Sequence, residues 1–559
     1  MTLPRVIPQV IERVNHFFIS NTLPRLLFIF IFFFLFFSFY FFLHTFTSTD
    51  DQFFNIRLAQ KISVEGFSAL QNFNEFSAVV HRPWVFNILF YYLLIPFTWF
   101  HPLELGIKVF AVASLAFTLT TLFFFLEKNN IKKSFFWLLF ALGFFSTPPD
   151  IWHFLMARAF VLVPALLVLV LYSLQKEKYV ALFLLSFASF FLHTATFFLP
   201  LVVGIIFSAF SWQAKKRFPW ALLMSLASGT AAALLLGMLY IPGFLDIIWH
   251  FWISLYEIVT SFHISNTVQI DEGVESYPIT LFDTFPYHAV LIGLIFLFSP
   301  VALIRMLRLS QEGKSFGNPV FLTLLVLTLL FLLGTFITKR NFDFFYIFSS
   351  LFLIFTLSDF FKEIGLKEGI KEKKVYIFSG VVVLLVALTS QVLAIMDMIA
   401  ASRDQVNIKG VALWAREHTE KGSVVFNPTM NFFPTFYFYN EGYNRMIVGI
   451  EPRDLYKTNP RKYWLWYNFS TYGIVCGEQQ CAKEIALRDA MLQSQKEKWY
   501  QDNGEAVANL LLNEFATNLV LVRSDFITLQ TLLENSPYFE EVYATPVIRD
   551  YILYRVKDN

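Results

Sequence analysis

The amino-acid sequence predicts a multi-pass α-helical membrane protein of about eleven transmembrane helices, followed by a C-terminal α/β domain on the extracytoplasmic side. Composition is the first observation: 56% of the 559 residues are hydrophobic, only 15% are charged, and Phe alone fills 72 positions. A soluble fold of this length cannot hide so many apolar side chains, so lipid must solvate part of them. The second observation is a series of long apolar runs that stops near residue 400. The third is the one-sided distribution of basic loops.

Each apolar run approaches the roughly twenty residues that a helix needs to cross a bilayer. The first run, Leu27 to Leu43, is too long and too aromatic for a signal-peptide core, and we expect it to be retained. The run 84–100 is broken by Pro96, so we interpret it as a juxtamembrane or re-entrant segment. The predicted helices lie near residues 27–47, 105–126, 134–147, 157–174, 179–195, 197–212, 220–240, 289–305, 319–337, 344–361 and 375–396.

Basic residues between the runs decide the predicted orientation. With the N-terminus in the cytoplasm, every basic cluster in a short loop falls inside, as the positive-inside rule expects. The transmembrane domain, residues 1–399, then exposes outer loops 48–104 and 241–288. The inner clusters are Lys128, Lys132 and Lys133; Lys176 and Lys178; Lys215, Lys216 and Arg217; Arg305, Arg308 and Lys314; and the lysines from Lys362 to Lys374.

The amino-acid composition changes in residues 400–559, where charged residues become frequent and strand-like segments alternate with helical ones. This pattern predicts an α/β domain that is large enough to bury its own core. Cys476 and Cys481, the only cysteines, both lie here. A disulfide between them fits an oxidising compartment, and two free thiols fit the spacing equally well. The predicted strands are 424–426, 446–450, 519–522 and 551–554, and the predicted helices include 408–419, 482–515 and 525–534.

Two adjacent carboxylates, Asp50 and Asp51, stand where the first helix leaves the membrane and an amphipathic helical pattern begins. One interpretation is a helix N-cap, because an acid there satisfies unpaired amides and the helix dipole. Context favours a second one, since His81-Arg82-Pro83-Trp84 follows about thirty residues later and opens an aromatic segment. An acid at a membrane surface can act as a base, and nearby cations can hold a phosphate.

In this order the segments resemble the GT-C superfamily of membrane glycosyltransferases, in particular those with a polyprenyl-phosphate sugar donor, such as protein O-mannosyltransferases and bacterial aminoarabinose transferases. Asp50-Asp51, the helix ending at Gly66 and the segment from His81 take the places of that family's acidic pair, amphipathic helix and Lys/His-Pro-Pro-like motif. The match departs at Asp51, where Glu is commoner, and in the single Pro after His81. Residues 463–467 differ from the Trp-Trp-Asp-Tyr-Gly motif of oligosaccharyltransferases, which argues against that subfamily.

The resemblance implies transfer of a sugar from a polyprenyl-phosphate-linked donor to a lipid, glycan or protein acceptor on the outer face of the plasma membrane. It makes Asp50 the expected base, with Asp51 supporting it or binding a divalent metal ion such as Mg²⁺ or Mn²⁺. No other cofactor and no nucleic-acid partner is expected. For any single outer basic residue, contact with lipid headgroups is a better explanation than function, but as a group at the outer ends of several helices these residues are candidates for binding an anion. The candidates for substrate binding are Arg57, His81, Arg82, Asp150, His153, Arg158, Lys339 and Arg340.

Two other functions fit the predicted topology. A transporter or flippase of a lipid-linked substrate would need charged residues deep within helices and an internal repeat, and the sequence gives neither pattern. A non-catalytic membrane scaffold with a partner-binding outer domain explains the topology equally well. It differs from the enzyme only in what it requires of the acidic pair Asp50-Asp51.

Overall fold

The computed structural model describes residues 22–42, 51–66, 87–144, 153–241, 291–301, 318–336, 341–363, 407–449, 452–546 and 549–557, with a few isolated residues between these ranges. Within this part of the chain, five helices are long and apolar enough to cross a membrane, and further apolar helices are shorter. Side chains on their outer faces are widely exposed, for example Leu23 at 77% and Leu239 at 78%. Lipid must cover these faces, because exposing so much apolar surface to water is unfavourable.

The N-terminal helical domain follows the predicted series of apolar runs. Its first half contains α1 (Thr22–Phe42), α2 (Asp51–Glu65), α3 (Ile88–Leu94), α4 (Leu103–Lys128), α5 (Ser134–Phe144) and α6 (Val163–Gln175). Its second half contains α7 (Tyr179–Leu192), α8 (Leu199–Lys215), α9 (Trp220–Tyr240), α10 (Leu291–Val301), α11 (Pro319–Thr335) and α12 (Phe342–Glu363). The helix predicted at 375–396 lies outside the described residues, apart from isolated positions.

Local sequence explains where these elements begin and end. Helix α1 is described from Thr22, five residues before the predicted start at 27, and Pro24 is tolerated within this first described turn. Helix α2 ends before Gly66, which has a φ of +68° that a side chain would disfavour. Pro96 lies where α3 passes into the 3₁₀ turn Ile95–Trp99, so the predicted interruption of this apolar run is confirmed.

Helix α2 does not cross the helical domain but packs across the end of it. Gly106 in α4 permits this close approach, since a Cβ added there would lie 2.0 Å from the Phe97 carbonyl oxygen and 3.1 Å from Ile56 of α2. Elsewhere in the bundle α7 and α9 are joined by a buried hydrogen bond of 2.7 Å between Ser186 and Thr230. Buried hydroxyl pairs of this kind are a common bond between apolar helices.

The C-terminal domain is a mixed five-stranded sheet with the strand order β2-β1-β3-β5-β4. Strands β1 and β2 are parallel, as are β1 and β3, whereas β5 runs antiparallel to both β3 and β4. The strands are β1 (Val424–Phe426), β2 (Arg445–Met446), β3 (Leu519–Arg523), β4 (Phe539–Ala544) and β5 (Tyr551–Val556). The helices are α13 (407–418), α14 (Phe433–Asn440), α15 (Pro452–Thr458), α16 (Pro460–Tyr472), α17 (Ala482–Ser494), α18 (Lys496–Asn513) and α19 (Ile527–Asn535).

Three details of this domain differ from the sequence-based prediction. Strand β4 was not predicted because Glu540 and Glu541 are exposed on it, as an edge strand allows. The segment predicted as one helix over 482–515 is two, α17 and α18, which meet at Gln495. The predicted strand 446–450 is shortened to β2, which begins at Arg445.

The two faces of the sheet belong to different apolar cores. Alternate residues of a strand point to opposite faces, so Val424 and Phe426 pack with α16, α18 and α19. Val425 and Leu519 face the other side, where one continuous core joins the sheet, α13 and α14 to the helical domain. The C-terminal domain is therefore packed directly on the helical domain.

Candidate active site

Asp51, the first residue of α2, lies at the end of the helical domain that contacts the C-terminal domain. Its Oδ2 is 2.8 Å from Nη2 of Arg158, and the Asp51 side chain is 43% exposed. Arg158 has an extended backbone that opens the 3₁₀ turn Ala159–Leu162 before α6. The arginine stabilises the negative charge of Asp51, while the exposure of Asp51 leaves it open to water.

A second contact holds the same loop against α2. Asn55 Nδ2, one turn after Asp51, donates a hydrogen bond of 3.3 Å to the Ala157 carbonyl oxygen. Residues four apart lie on one helix face, so α2 presents Asp51 and Asn55 together to the segment 153–158. The sequence prediction placed Asp51 and Arg158 in one site, and the structure brings them into direct contact.

His153, in the same loop, faces α12 instead. Its Nδ1 lies 3.5 Å from Oδ1 of Asp343, in the first turn of α12. The Asp343 side chain is 2% exposed, whereas that of His153 is 24% exposed. The sequence analysis did not select Asp343, because it stands 190 positions from His153 and reads as an ordinary acid at a helix start.

His193 directly follows α7, and its surroundings fit a packing role. Its Nδ1 lies 3.0 Å from the Thr196 hydroxyl, only three residues along the chain. Its ring centroid is 6.3 Å from that of Phe160.

Arg57, predicted to bind substrate, makes its contacts with the C-terminal domain. Its Nε donates 2.9 Å to the Phe438 carbonyl oxygen, and its Nη2 lies 3.0 Å from Oε1 of Glu441. A third bond of 2.7 Å joins Nη1 to Gln60, and the guanidinium lies 5.0 Å from the Phe438 ring centroid. Burial lowers the pKa of Arg57, and Glu441 opposes that shift. The phosphate role of Arg57 stays a prediction, while these contacts favour a role in joining the domains.

Aromatic side chains continue this junction along α2. Phe53 packs on Phe438 with ring centroids 4.7 Å apart, and Phe54 packs on Phe433 at 5.7 Å. Beside them the Tyr439 hydroxyl donates a hydrogen bond to Glu104 in the first turn of α4, and burial together with this carboxylate raises the pKa of Tyr439. We call this contact region of α2, α4 and α14 the domain junction. Sequence alone did not reveal it, since α14 (Phe433–Asn440) is hundreds of residues away from α2 (Asp51–Glu65) and α4 (Leu103–Lys128) along the chain.

Six further candidates lie outside the described residues. They are Asp50, His81, Arg82, Asp150, Lys339 and Arg340.

Cys476 and Cys481 form a disulfide, so of the two alternatives the structure has the bonded one. They stand beside Asn468, whose Nδ2 donates to the carbonyl oxygens of Cys476 and Glu478, both at 2.9 Å. Asn468 begins an Asn-Phe-Ser triplet, a pattern typical of glycosylation sites, but it is only 1% exposed. This asparagine therefore anchors the disulfide loop and is not accessible for modification.

Among the described residues, the only cluster of three or more potential metal ligands is Cys476, Cys481 and Glu484. Since its two sulfurs are bonded to each other, it lacks the thiolates that a metal would need. Asp51 offers a partly exposed carboxylate, the ligand type that Mg²⁺ and Mn²⁺ prefer. The other acids of the predicted site, Asp50 and Asp150, lie outside the described residues.

No protein-family model matches the sequence, and no curated protein matches it. Solved structures do match. The oligosaccharyltransferase of Archaeoglobus fulgidus in its apo form aligns with a TM-score of 0.54 and 10% identity, over 88% of this chain and 69% of that one. The oligosaccharyltransferase AglB from Archaeoglobus fulgidus, in complex with an inhibitory peptide and a dolichol-phosphate, aligns with a TM-score of 0.50 and 10% identity, over 91% of this chain and 70% of that one.

ArnT from Cupriavidus metallidurans, bound to undecaprenyl phosphate, aligns over 90% of this chain and 93% of its own, with 10% identity and a TM-score of 0.47, too low to add weight. The two archaeal alignments span nearly the whole chain, both the helical domain and the C-terminal sheet. At 10% identity they concern the fold, and they do not distinguish one activity or subfamily from another. The resemblance to the GT-C membrane glycosyltransferases is thereby confirmed at the level of the fold.

Proposed function

We propose that this chain is a membrane glycosyltransferase that moves a hexosyl or pentosyl group from a polyprenyl-phosphate-linked donor to an acceptor. The observation that carries the proposal is the partly exposed Asp51 carboxylate, held 2.8 Å from Arg158 where α2 begins. It supports the proposal because it combines a proton acceptor and a cation at the surface of an apolar helical domain. The archaeal enzyme that shares this fold was solved with a dolichol-phosphate, which has the same lipid-phosphate chemistry.

In the proposed reaction an oxygen or nitrogen atom of the acceptor attacks the anomeric carbon of the sugar. The bond between that carbon and the phosphate oxygen breaks, and its electron pair leaves with the phosphate. The acceptor proton passes to a carboxylate, for which we propose Asp50, while Asp51 supports it. For stabilising the phosphate charge we propose Arg158 and, in its protonated form, His153. His81, Arg82, Asp150, Lys339 and Arg340 remain proposed contributors to substrate binding.

A divalent ion bound by Asp51 and the neighbouring acids would add positive charge at the leaving phosphate. The Asp51 carboxylate is a ligand type that such an ion prefers. Arg158 already places a positive charge beside Asp51, which reduces the need for a metal ion there.

We place the site and the C-terminal domain outside the cytoplasm, in the plasma membrane of the cell. The distribution of basic loops supports this orientation, since Lys128 ends α4, and Lys132 and Lys133 follow it, at the end opposite to Asp51. The disulfide between Cys476 and Cys481 supports it independently, because such bonds persist in oxidising compartments. The acceptor would accordingly be a lipid, glycan or protein of the cell envelope.

The test is a transfer assay with radiolabelled polyprenyl-phosphate sugars on the purified full-length protein. Asp50→Asn should lower the rate by about a hundredfold or more, the scale for loss of a general base, with expression and melting unchanged. Asp51→Asn should do less, and added Mg²⁺ or Mn²⁺ should partly restore it if Asp51 binds a metal.

The matched control is Asp489→Asn, because Asp489 is an exposed acid of α17 that lies 2.8 Å from Arg488. It should transfer sugar at the parental rate. A fully active, normally folded Asp50→Asn protein would refute the assignment of the base. Absence of transfer from every donor by the parent would refute the enzyme and favour a scaffold.

A further inference from the structure

Asp343 is a buried acid for which the proposed reaction gives no role. Its side chain is 2% exposed, and within the described part of the chain neither of its carboxylate oxygens accepts a hydrogen bond. A buried carboxylate without such bonds is costly by several kcal/mol unless a positive charge compensates it. Within the described part of the chain, the His153 ring is placed for that purpose, with its Nδ1 3.5 Å from Oδ1 of Asp343.

The two side chains are arranged by depth. Asp343 lies in the first turn of α12, where the peptide dipoles favour negative charge. The His153 side chain is 24% exposed, so part of it reaches the surface while the Asp343 carboxylate stays buried. Nδ1 is the ring nitrogen that faces this carboxylate, and Nε2 lies on the opposite side of the ring.

The surroundings of His153 connect it to the proposed site. It belongs to the segment 153–158, and that segment is fixed to α2 through Asn55 and through the pair Arg158–Asp51. His153 and Arg158 of one short segment thus each lie beside an acid, one acid partly exposed and the other buried. Arg158 balances the charge of Asp51, and a protonated His153 would balance a charged Asp343 in the same way.

We propose that Asp343 is a positioning residue that keeps His153 protonated. His153 in turn donates a hydrogen bond from Nε2 to the phosphate group of a lipid phosphate. The inference rests on the proposed function and names a phosphate contact of that site. Asp343 itself does not touch the ligand. It acts through the charge and the orientation of the imidazole, so a variant with a permanent cation at position 153 makes Asp343 dispensable for phosphate binding.

The experiment measures the binding of undecaprenyl phosphate and of undecaprenol to the full-length protein in lipid nanodiscs. The parent should prefer the phosphate. His153→Gln and Asp343→Asn should each weaken the binding of undecaprenyl phosphate by roughly ten- to a hundredfold, the range for one charged hydrogen bond, and leave undecaprenol unchanged. In the His153→Lys background, Asp343→Asn should change phosphate binding by less than about threefold.

Lys215→Gln is the control, because Lys215 forms an exposed pair with Glu177 far from the site, and it should bind both lipids as the parent does. Inorganic phosphate in excess should displace the lipid only weakly if the isoprenoid chain contributes to binding. Equal losses for both lipids in Asp343→Asn, or the same loss in the Lys background, would show a purely structural role and overturn the inference. His153→Gln, a change of a partly exposed side chain, decides the question if Asp343→Asn does not fold.

Failure of this inference differs from failure of the proposed function. If the parent does not prefer undecaprenyl phosphate to undecaprenol, the donor class is wrong and both proposals fall. If the parent shows the preference and His153→Gln retains it, only the role of His153 and Asp343 is refuted.

Discussion

Replacing Arg57 by alanine should loosen the domain junction, and the structure gives the magnitude. The substitution removes a hydrogen bond of 2.9 Å to the Phe438 carbonyl oxygen, an ion pair of 3.0 Å with Glu441 and a guanidinium–ring contact of 5.0 Å. A hydrogen bond from a charged donor contributes about 1.5–3 kcal/mol. The Glu441 pair contributes about 0.2–1 kcal/mol, since Glu441 is 45% exposed and also pairs with Arg416 at 2.9 Å.

With the ring contact included, we expect Arg57→Ala to cost about 2–4 kcal/mol of docking free energy. At about 1.4 kcal/mol for each tenfold change, the undocked population rises by roughly one to three orders of magnitude. Hydrogen–deuterium exchange followed by mass spectrometry measures this opening directly. Protection should fall in residues 51–65 and 433–440, while the distant pair of helices α7 and α9 should keep its protection.

Arg461→Ala is the matched control, because Arg461 also lies 3.0 Å from a glutamate, Glu514, but is 67% exposed. It should cost no more than about 0.5 kcal/mol and leave exchange in α2 unchanged. Unaltered exchange at the junction in Arg57→Ala, or an equal effect of Arg461→Ala, would refute the reasoning. Either outcome would mean that the aromatic contacts of Phe53 and Phe54, without Arg57, hold the C-terminal domain on the helical domain.

Two further predictions concern topology and alkaline pH. A cysteine introduced at Lys132 should react with an impermeant thiol reagent only after the cells are permeabilised. Labelling in intact cells would contradict the predicted orientation. The native cysteines, Cys476 and Cys481, should not react with the reagent, because they are bonded to each other. The folded state holds the Tyr439 proton more tightly than the unfolded state, so its contribution to stability is complete below the ordinary tyrosine pKa of about 10 and is lost as pH rises from there. The melting temperature should therefore fall more steeply above pH 10 in the parent than in Tyr439→Phe, and parallel curves would contradict a protonated Tyr439 bonded to Glu104.

Local pattern was enough to predict most of the elements. Apolar length located the membrane helices, Pro96 marked the break after α3, and Gly66 marked the end of α2. The pairing of Asp51 with Arg158 was predicted only as membership of one site, since Asp51 came from the family resemblance and Arg158 from its predicted position on the outer face, and neither gives a distance. Strand β4 was not predicted, because its exposed glutamates interrupt the alternation of apolar and polar residues expected of a half-buried strand.

The domain junction and the pair His153–Asp343 could not be predicted in the same way. Arg57 and Glu441 are 384 positions apart, and no periodicity relates a charge on one element to a charge on another. The acidic residue in the first turn of α12 is explained locally by the helix dipole, so nothing in the sequence signals that it is buried. Such contacts are set by how elements pack, which a single sequence does not encode in its spacing.

The junction also has a consequence for how the chain is made. The aromatic face of α2, with Phe53 and Phe54, is synthesised about 380 residues before its partner Phe433 emerges. At roughly 5–20 residues per second, that face waits about twenty to eighty seconds for the helix that covers it. During biosynthesis the membrane interface or a chaperone must shelter α2, and a truncated chain that lacks the last domain would never bury it. Quality-control proteases should therefore recognise such truncated chains through this short helix.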